Sequence, residues 1–385
     1  MRSISILGAT GSVGASTLDL LRRNPDQWRV EALTANCNVA ELAMLAREFG
    51  VSIAVVADER CLADLREALA GTGIEAAGGP AALCEAAARG ADLTVAAIVG
   101  CAGLGPTMAA IEQGGTVALA NKEALVSAGE VMTAAVAKHG ATLLPVDSEH
   151  NAIFQCLHGE DLADVRWITL TASGGPLRTW SAEQIAAATP AQAVAHPNWS
   201  MGAKISVDSA TMMNKGLEVI EANHLFPVGL ERIRIVVHPQ SVIHSLVEYR
   251  DGSTLAQLGP SDMRVPIASC LAWPRRMRTE LQPLDLPAIG TLSFFAPDEE
   301  RFPATRLARE AAQAGGAAPA VLNAANEIAV ASFLAGAIGF TEVPELVEQA
   351  LERQSAPVPG SIEEVIAIDI ETRTAVGAMI EARCH

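Results

Sequence analysis

Two carboxylates stand one residue apart in Asp147-Ser148-Glu149, directly after the apolar, strand-like run 142–146. Because neighbouring carboxylates repel each other, we expect a cation between them, and an all-oxygen ligand set favours a hard divalent ion such as Mg²⁺ or Mn²⁺ over zinc. Most Asp-x-Glu triplets are solvated loop, so this one needs support from elsewhere in the chain. A second polar block, at residues 208–218, offers a third carboxylate together with donors suited to a phosphate. The two blocks together predict a divalent-metal site.

The second polar block reads DSATMMNKGLE and has the spacing of a helix. Asn214 and Glu218 are at i, i+4 and Lys215 and Glu218 are at i, i+3, so all three share one face. We expect Ser209 and Thr211 in the first turn, where hydroxyls and backbone amides can hold a phosphate. An N-capped helix with a solvent-exposed Lys-Glu pair is the alternative. The apolar residues beside the polar face leave little surface for solvent, which favours a binding site.

A glycine-rich turn at Gly8, Gly11 and Gly14 follows the first predicted strand and precedes the helix pattern 15–23. Glycines allow a tight turn and close backbone approach, so the pyrophosphate of a nucleotide can sit on the amides of the helix N-terminus. The spacing is GxxGxxG rather than GxGxxG, and a plain strand-to-helix turn is the alternative. The position directly after a strand favours nucleotide binding.

Strand and helix patterns alternate through the first third of the chain, which predicts an α/β fold with a Rossmann-like, doubly wound parallel sheet. The predicted strands lie near residues 30–34, 52–56, 93–98 and 116–119, and the predicted helices lie near 40–49, 62–69, 81–88 and 106–113. The second strand is followed by Asn36-Cys37-Asn38, without the acidic residue that normally holds the ribose of NAD. Its absence favours NADP, although this segment has no Arg or Lys for a 2′-phosphate either.

Asn121-Lys122-Glu123 follows the strand pattern 116–119 and starts a long helix. Polar side chains at the carboxyl end of a parallel strand lie where open α/β sheets bind ligands. A helix-capping Asn with a surface Lys-Glu pair explains the same residues equally well. Both interpretations stay open at this point.

From His150 the periodicity changes, which predicts a second, α+β domain. The stretch from Ser173 to Gly202 has glycines at both ends, and Trp199 and Met201 near its end predict a lid that folds over a ligand. The alternative is that both side chains pin a loop to the core. Three later strand patterns look antiparallel, and a hairpin turn joins the last two. They lie at 233–237, 241–249 and 254–258, with the turn at Asp251-Gly252.

The C-terminal part is rich in alanine and has helix patterns near 305–314, 318–335, 344–353 and 361–383. A proline-rich segment precedes it and is typical of a linker. The predicted division is a nucleotide-binding Rossmann-like domain at 1–147, a catalytic α+β domain at 148–273 with the lid loop at 173–202, a linker at 274–303 and a small helical domain at 304–385.

Half of the 385 residues are hydrophobic and 18% are charged, an ordinary balance for a globular protein of two or three domains. The net charge of −17 argues against nucleic acid and anionic membranes as partners, because both bind basic surfaces. No stretch of the sequence approaches the roughly 18 consecutive apolar residues of a membrane helix. Seven scattered cysteines without CxxC spacing, and a strand pattern that begins at Ser3, predict reduced thiols in a cytoplasmic protein without a leader peptide.

With these motifs in view, the chain resembles the 1-deoxy-D-xylulose 5-phosphate reductoisomerase family essentially from end to end. The matching motifs are GATGSVG, LANKE, LPVDSEHNAIFQ, SGGP, HPNWSMG, KISVDSATMMNKGLE, HPQSVIHS and LNAANE. Several are long and polar and they occur in the family's order, so a chance match is negligible. The resemblance implies an NADPH- and divalent-metal-dependent enzyme of non-mevalonate isoprenoid biosynthesis, expected to be a homodimer. Its reaction would be the rearrangement and reduction of 1-deoxy-D-xylulose 5-phosphate to 2-C-methyl-D-erythritol 4-phosphate.

The resemblance also implies roles for individual residues. The divalent ion would be held by Asp147, Glu149 and Glu218, the last of which would also contact the substrate. The substrate phosphate would meet Ser173, Ser209, Asn214 and Lys215, and its hydroxyl and carbonyl end would meet Lys122, Ser148, Glu149 and His196. The NADPH site would be lined by Thr10, Gly11, Ser12, Val13, Asn38, Asn121, Glu123 and Gly202. The catalytic residues would be Lys122, Glu149 and His196, with Trp199 and Met201 covering the ligand.

The chain departs from the family where the 2′-phosphate of NADPH is expected. Many members have a glycine and a basic residue where this chain has Asn36-Cys37, and a basic residue where it has Ala195. We expect the side-chain amides of Asn36 and Asn38 to replace part of that recognition. A large measured preference for NADH over NADPH would contradict this expectation.

Two other functions fit parts of the sequence. A metal-assisted NADP enzyme such as an oxidative decarboxylase of hydroxy acids would need an arginine cluster for the substrate carboxylates. The block around Lys215 offers a lysine, serines and an asparagine instead, which suits a single phosphate better. A non-catalytic nucleotide-binding regulator should have lost metal ligands or His196, and the sequence retains all of them.

Overall fold

The computed structural model describes residues 1–199 and 202–383. It divides the chain into two compact units. The first comprises Met1–Ala124, Met132–Asn151 and Met263–Glu280, and the second comprises Leu125–Val131, Ala152–Asp262 and Leu281–His385. The four-segment division stays a prediction.

The described residues form two sheets and a larger set of helices. The strands are β1 (Arg2–Leu7), β2 (Trp28–Ala35), β3 (Ile53–Val56), β4 (Glu75–Gly78), β5 (Leu93–Ala96), β6 (Thr116–Leu119), β7 (Thr142–Pro145), β8 (Val165–Ala172), β9 (Ile233–Val237), β10 (Ile243–Tyr249) and β11 (Thr254–Leu258).

The α-helices vary in length from 4 to 22 residues. They are α1 (Ser12–Arg22), α2 (Val39–Phe49), α3 (Leu62–Ala68), α4 (Pro80–Ala87), α5 (Leu104–Ile111), α6 (Lys122–His139), α7 (Ser148–Cys156), α8 (Ala182–Ala186), α9 (Pro190–Ala193), α10 (Ala203–Ala210), α11 (Met213–Leu225), α12 (Arg264–Ala272), α13 (Leu286–Ile289), α14 (Ala304–Ala314), α15 (Ala318–Leu334), α16 (Glu342–Arg353) and α17 (Ile362–Arg383). Among the described helices, none has the length and apolarity needed to cross a bilayer.

The sheet of the first unit has seven strands in the order β4-β3-β2-β1-β5-β6-β7, and every neighbouring pair is parallel. Strands such as β3 and β5 are buried along their whole length, as expected when helices cover both faces. The strand order reverses between β1 and β5, which is the switch point where such sheets bind ligands at the carboxyl ends of their strands. The doubly wound parallel sheet predicted from the sequence is confirmed.

The edge strand β4 was not predicted. Its sequence, EAAG, lacks the β-branched and aromatic residues that mark strands, and its side chains are half-buried or exposed. The hydrogen bonds to the buried strand β3 hold this segment in a strand conformation, which its own residues do not favour.

The sheet of the second unit is mixed, with the order β11-β10-β8-β9. The β10–β11 hairpin is antiparallel, as predicted, and Gly252 in its turn has φ +91°. The expectation that β9 is antiparallel as well is wrong, because β9 pairs with β8 in parallel. Four helices, α8 to α11, lie in the connection between these two strands, and a crossover of that length is what a parallel pair requires.

The polar block 208–218 is not one helix. Met212 has φ +65°, a left-handed conformation that ends α10 and precedes α11. Ser209 therefore lies in the last turn of α10 and Thr211 is its C-cap, so the prediction that both lie in a first turn is wrong. The helical spacing from Asn214 onwards is unaffected.

The C-terminal helices α14 to α17 start and end within two residues of the predicted bounds. The Ser361 hydroxyl accepts from the Glu364 N–H at 3.3 Å and so caps the start of α17. The proline-rich segment before these helices contains α13, and its Phe295 exchanges two backbone hydrogen bonds of 2.9 Å with Val237.

The six described cysteines are free thiols, but their environments differ. Burial raises the pKa of the Cys156 thiol to about 11 and that of Cys270 to about 12, whereas Cys37 is exposed. A raised pKa lowers the thiolate fraction at a given pH, and the thiolate is the reactive form. We therefore expect a disulfide reagent at about pH 8 to label Cys37 rapidly and to leave Cys156 and Cys270 unlabelled until the protein is denatured. Mass-spectrometric mapping of the label tests this, and equal labelling rates at Cys37 and Cys270 would contradict it.

Candidate active site

The turn between β1 and α1 needs glycine at two positions. Gly8 has φ +90°, and a Cβ there would lie 2.7 Å from the carbonyl oxygen of Ala97. A Cβ on Gly14 would lie 2.4 Å from the carbonyl oxygen of Gly8. Gly11 is the N-cap of α1, and no described side chain caps this helix, so its first amides can donate to an anion. The turn lies at the carboxyl end of β1, beside the switch point of the sheet.

The end of β2 is tied to this turn. The Gly8 N–H donates to Thr34 Oγ1 (2.9 Å), and the Ala9 N–H donates to the Thr34 carbonyl (2.7 Å). Asn38 caps α2, because its Oδ1 accepts from the Glu41 N–H and its Nδ2 donates to the Glu41 carboxylate. The glycine turn and the loop that contains Asn38 therefore share one edge of the sheet.

Asn121 and Lys122 are both buried, unlike residues at the start of a helix on the protein surface. Asn121 is buried and its Oδ1 accepts from the Ala124 N–H at 3.1 Å, so the capping interpretation is right for this residue. Lys122 is also buried, with 6% of its surface exposed, and its ammonium pairs with Asp147. A surface Lys-Glu pair therefore does not describe Lys122, which links the end of β6 to the end of β7.

Asp147 is held in its ionised form. Burial alone would raise the pKa of its carboxyl, but the positive charge of Lys122 and the neighbouring His150 outweigh burial and hold the pKa well below its usual range. His150 is fully buried, with Nδ1 3.6 Å from the Asp147 carboxylate. The sequence did not identify His150 as a site residue, although its i, i+3 spacing from Asp147 is a signal that could have done so. An ionised carboxylate is the form that binds a metal ion.

Glu149 lies in the first turn of α7, where the helix dipole favours a negative charge. The Ser148 hydroxyl donates to its carboxylate, and both side chains are half-buried. The first unit thus presents two carboxylates and one ammonium group, those of Asp147, Glu149 and Lys122, at the carboxyl ends of neighbouring strands.

In the second unit, Ser173 follows the end of β8 and contacts His196. The Ser173 Oγ lies 2.9 Å from His196 Nε2, and it accepts from the Gly175 N–H at 3.1 Å. His196 Nδ1 accepts from the backbone N–H groups of Asn198 (3.2 Å) and Trp199 (3.0 Å). Because Nδ1 is an acceptor, the proton of the neutral ring is on Nε2, which then donates to Ser173. The predicted lid is therefore attached to the end of β8 through its histidine.

The two charged residues on the polar face of α11 are buried, and Asn214 is half-buried. Lys215 has 3% of its surface exposed and Glu218 has none, and the two side chains form an ion pair. Asn214 Nδ2 donates to the other carboxylate oxygen of Glu218. The shared face predicted from the spacing is confirmed, and the solvent-exposed Lys-Glu alternative is wrong.

The loop after β8 packs directly on the end of α10. Gly174 and Gly175 both have positive φ, +82° and +70°. A Cβ on Gly175 would lie 2.6 Å from the carbonyl oxygen of Ser209, so only glycine allows this approach. The packing brings the loop that begins with Ser173 beside the turn that carries Ser209, two residues predicted to hold the same phosphate.

A buried polar network joins α10 to α15. Asn326 Nδ2 donates to Asp208 Oδ1 at 2.8 Å, and Lys204 Nζ lies 2.8 Å from Asp208 Oδ2. Both Asn326 and Asp208 are almost fully buried. α15 therefore fixes the turn next to Ser209. The sequence did not assign these residues a role, although LNAANE was one of its motifs.

The predicted site residues are distributed over both units. Asp147 and Glu149 belong to the first unit and Glu218 belongs to the second, so the metal site they would share stays a prediction. Gly202 is the N-cap of α10, and Trp199 has its ring centroid 6.1 Å from that of His244. Met201 lies outside the described residues.

Three family models match the chain in succession. They are the 1-deoxy-D-xylulose 5-phosphate reductoisomerase model at residues 4–129, the 1-deoxy-D-xylulose 5-phosphate reductoisomerase C-terminal domain at 143–226 and the DXP reductoisomerase C-terminal domain at 258–375. Among curated relatives, the reductoisomerase of Zymomonas mobilis is 59% identical over 381 residues, covering 99% of this chain and 98% of its own length. That of Rhodospirillum centenum is 56% identical over 382 residues, covering 99% and 95%.

Solved structures agree with these matches. The Zymomonas mobilis reductoisomerase in complex with NADPH has a TM-score of 0.94 and 57% identity, covering 99% of each chain. A DOX-P reductoisomerase in complex with NADPH, fosmidomycin and magnesium has a TM-score of 0.96 and 44% identity, covering 99% of this chain and 98% of its own. This chain therefore belongs to the 1-deoxy-D-xylulose 5-phosphate reductoisomerase family.

Proposed function

We propose that this protein catalyses the NADPH- and divalent-metal-dependent rearrangement and reduction of 1-deoxy-D-xylulose 5-phosphate to 2-C-methyl-D-erythritol 4-phosphate, a step of non-mevalonate isoprenoid biosynthesis. The observation that carries the proposal is the end-to-end similarity to a solved reductoisomerase that contains NADPH, fosmidomycin and magnesium. The retained ion pairs Lys122–Asp147 and Lys215–Glu218 support an active enzyme rather than a regulator that has kept only the fold.

The residues around the glycine turn fit a dinucleotide. The turn needs glycine for its own backbone, the first turn of α1 has no described side-chain cap, and both lie at the switch point of a parallel sheet. We propose that the pyrophosphate is bound by these amides and that the rest of the cofactor contacts the neighbouring loops. The residues proposed to line the NADPH site are Thr10, Gly11, Ser12, Val13, Asn38, Asn121, Glu123 and Gly202.

The donor chemistry of the proposed metal ligands fits Mg²⁺ or Mn²⁺. Asp147, Glu149 and Glu218 offer oxygen alone, which hard divalent ions prefer. Asp147 pairs with Lys122 and Glu218 pairs with Lys215. A divalent ion would therefore compete with two ammonium groups for carboxylate oxygens. We propose that each lysine then turns to the substrate, Lys215 to its phosphate and Lys122 to its reacting end.

The substrate phosphate is proposed to bind to Ser173, Ser209, Asn214 and Lys215. Lys215 supplies a buried positive charge, and the hydroxyl of Ser173 is oriented by the Gly175 N–H and by His196. These contacts do not touch the reacting bonds, but their binding energy can position the substrate and close the lid. Because His196 contacts Ser173 as well as the backbone of Trp199, phosphate binding and lid position are coupled.

When bound, the metal ion supplies Lewis acidity at substrate oxygens and NADPH supplies the hydride. The chain itself must orient the substrate and move protons. Lys122 and Glu149 are proposed to hold and transfer protons at the hydroxyl and carbonyl groups, with Ser148 bonded to Glu149. His196 carries its proton on Nε2, so it can donate to a substrate oxygen without changing tautomer. Trp199 is proposed to exclude water from the closed site, and both a retro-aldol route and a ketol shift agree with this arrangement.

We further propose that the protein is a cytoplasmic homodimer whose β10–β11 hairpin takes part in subunit pairing. β11 is an edge strand with Leu255 and Leu258 exposed, 43% and 38% of their surface respectively. Exposed apolar residues on a sheet edge favour association.

The proposed function predicts metal- and substrate-dependent oxidation of NADPH. The assay follows NADPH absorbance after purified protein is mixed with 1-deoxy-D-xylulose 5-phosphate and Mg²⁺ or Mn²⁺. We expect absorbance to fall only when all components are present, to stop when the metal is chelated and to resume when excess metal is added. NADPH binding without oxidation under every metal condition would overturn the proposal.

A further inference from the structure

Arg60 lies in the loop that follows β3, next to the segment 36–38, which has no basic residue for the 2′-phosphate of NADPH. Arg60 is the one basic residue of the two segments that follow β2 and β3, residues 36–38 and 57–61. Its side chain is 90% exposed. We propose that Arg60 binds this phosphate and sets the preference for NADPH over NADH, an inference that rests on the proposed function.

Hydrogen bonds join the loop of Arg60 to the glycine turn in two steps. The Asp58 N–H donates to the Asn36 carbonyl at 3.1 Å, and the preceding Ala57 N–H donates to the Ala35 carbonyl at 2.9 Å. β2 is in turn joined to the turn through Thr34. The ends of β1, β2 and β3 thus lie side by side at one edge, and the ribose of a dinucleotide bound at the first is recognised at the end of the second.

Of the two side-chain amides expected to replace a basic residue, that of Asn38 already has hydrogen-bond partners within the protein. The side chain of Asn38 caps α2, with both Oδ1 and Nδ2 bonded to Glu41. Asn36 and Cys37 carry no positive charge. The loop of Arg60 is bonded to this same segment, because the Asp58 N–H donates to the Asn36 carbonyl at 3.1 Å. A single neighbouring arginine can therefore do the work of the absent base.

Asp58 orients the guanidinium. Its carboxylate accepts from Arg60 Nε and Nη2, while Nη1 has no hydrogen-bond partner among the described residues. The planar guanidinium has five donors, and a pair that occupies two of its nitrogens leaves donors for a phosphate. The Asp58 charge opposes phosphate binding, so the arrangement is expected to give moderate rather than extreme discrimination.

The test compares NADPH and NADH binding to the full-length protein and three variants, by the fluorescence of the nicotinamide. We expect Arg60→Gln to weaken NADPH binding by about tenfold and to leave the Kd for NADH within about twofold. Arg66→Gln removes the same charge from an exposed position in α3, which follows the loop of Arg60, and should change neither Kd. Asp58→Asn keeps the oxygen that caps the backbone of Arg60 and removes the opposing charge, so it should tighten NADPH binding by about threefold.

Three results would count against Arg60. They are an unchanged Kd for NADPH in Arg60→Gln, equal weakening of NADPH and NADH, or the same loss in Arg66→Gln. Salt supplies a second readout, because the NADPH affinity of the wild type should depend on ionic strength more steeply than that of Arg60→Gln. A wild type that binds neither dinucleotide would overturn the proposed function together with this inference, whereas tight NADPH binding that ignores Arg60 would overturn the inference alone.

Discussion

Glu218→Gln is expected to lower turnover by about three orders of magnitude, or roughly 4 kcal/mol of transition-state stabilisation. The substitution keeps the size of the side chain but removes one of three proposed negative charges on the metal ion. It should leave NADPH binding nearly unchanged, because the glycine turn belongs to the other unit. Initial rates over a range of Mn²⁺ concentrations, together with an NADPH titration, test both halves of the prediction.

The buried position of Glu218 requires a control for folding. The substitution also removes the counter-ion of Lys215, and an uncompensated buried charge can cost about 3–5 kcal/mol of stability. Glu218→Asp keeps the charge and shortens the side chain, so it should preserve the melting temperature better than Gln while still weakening metal binding. Turnover within about threefold of the wild type in a well-folded Glu218→Gln protein would show that Glu218 is not a metal ligand.

Gly175→Ala is expected to lower kcat/KM by about two orders of magnitude, because it pushes the loop of Ser173 away from the turn of Ser209. The new Cβ would lie 2.6 Å from a backbone oxygen and 2.9 Å from the Cα of Ala210, neither of which can move alone. The matched control is Gly336→Ala, which has a similar φ of +76° and no atom within 4 Å of its Cβ. Both variants share the cost of a left-handed alanine, about 1–2 kcal/mol.

The comparison separates backbone strain from displacement of the phosphate residues. We expect Gly175→Ala to lose about 2 kcal/mol more stability than Gly336→Ala, and only Gly175→Ala to raise the KM for substrate. Thermal melts and steady-state kinetics of the two proteins give both numbers. Equal kinetics in the two variants would mean that the contact between these loops does not position the phosphate site.

Local sequence patterns predicted the elements that are determined by residues close together in the chain. The turn between β1 and α1 has glycines at Gly8 and Gly14 because backbone atoms stand where a Cβ would be, and that requirement is visible in the sequence. The C-terminal helices α14 and α16 follow from their apolar periodicity, and the start of α17 follows from its cap, Ser361. The parallel pairing of β9 with β8 is set by packing between residues more than sixty positions apart, which no local pattern encodes. The break at Met212 is also invisible, since left-handed positions are normally occupied by glycine or asparagine.

The sequence predicted which residue types form the candidate site, but not which of these side chains pair with each other. Carboxylates in two blocks of the sequence, with a lysine, serines and an asparagine in the second, indicate a metal ion and a phosphate as ligands. That Lys122 pairs with Asp147, or that Asn326 supports Asp208, depends on which strand ends and helices meet in three dimensions. Those pairings decide which charged side chains are buried. They therefore decide whether Lys122 and Lys215 belong to a site or to a surface Lys-Glu pair.

The central claim is that one protein both rearranges and reduces its substrate, and the structure of the product tests it most directly. Proton NMR of the product formed from 1-deoxy-D-xylulose 5-phosphate, NADPH and Mg²⁺ should show the methyl group as a singlet, because rearrangement places it on a carbon without hydrogen. A methyl doublet, from an unbranched polyol phosphate made by reduction of the ketone alone, would contradict the account even if NADPH were consumed.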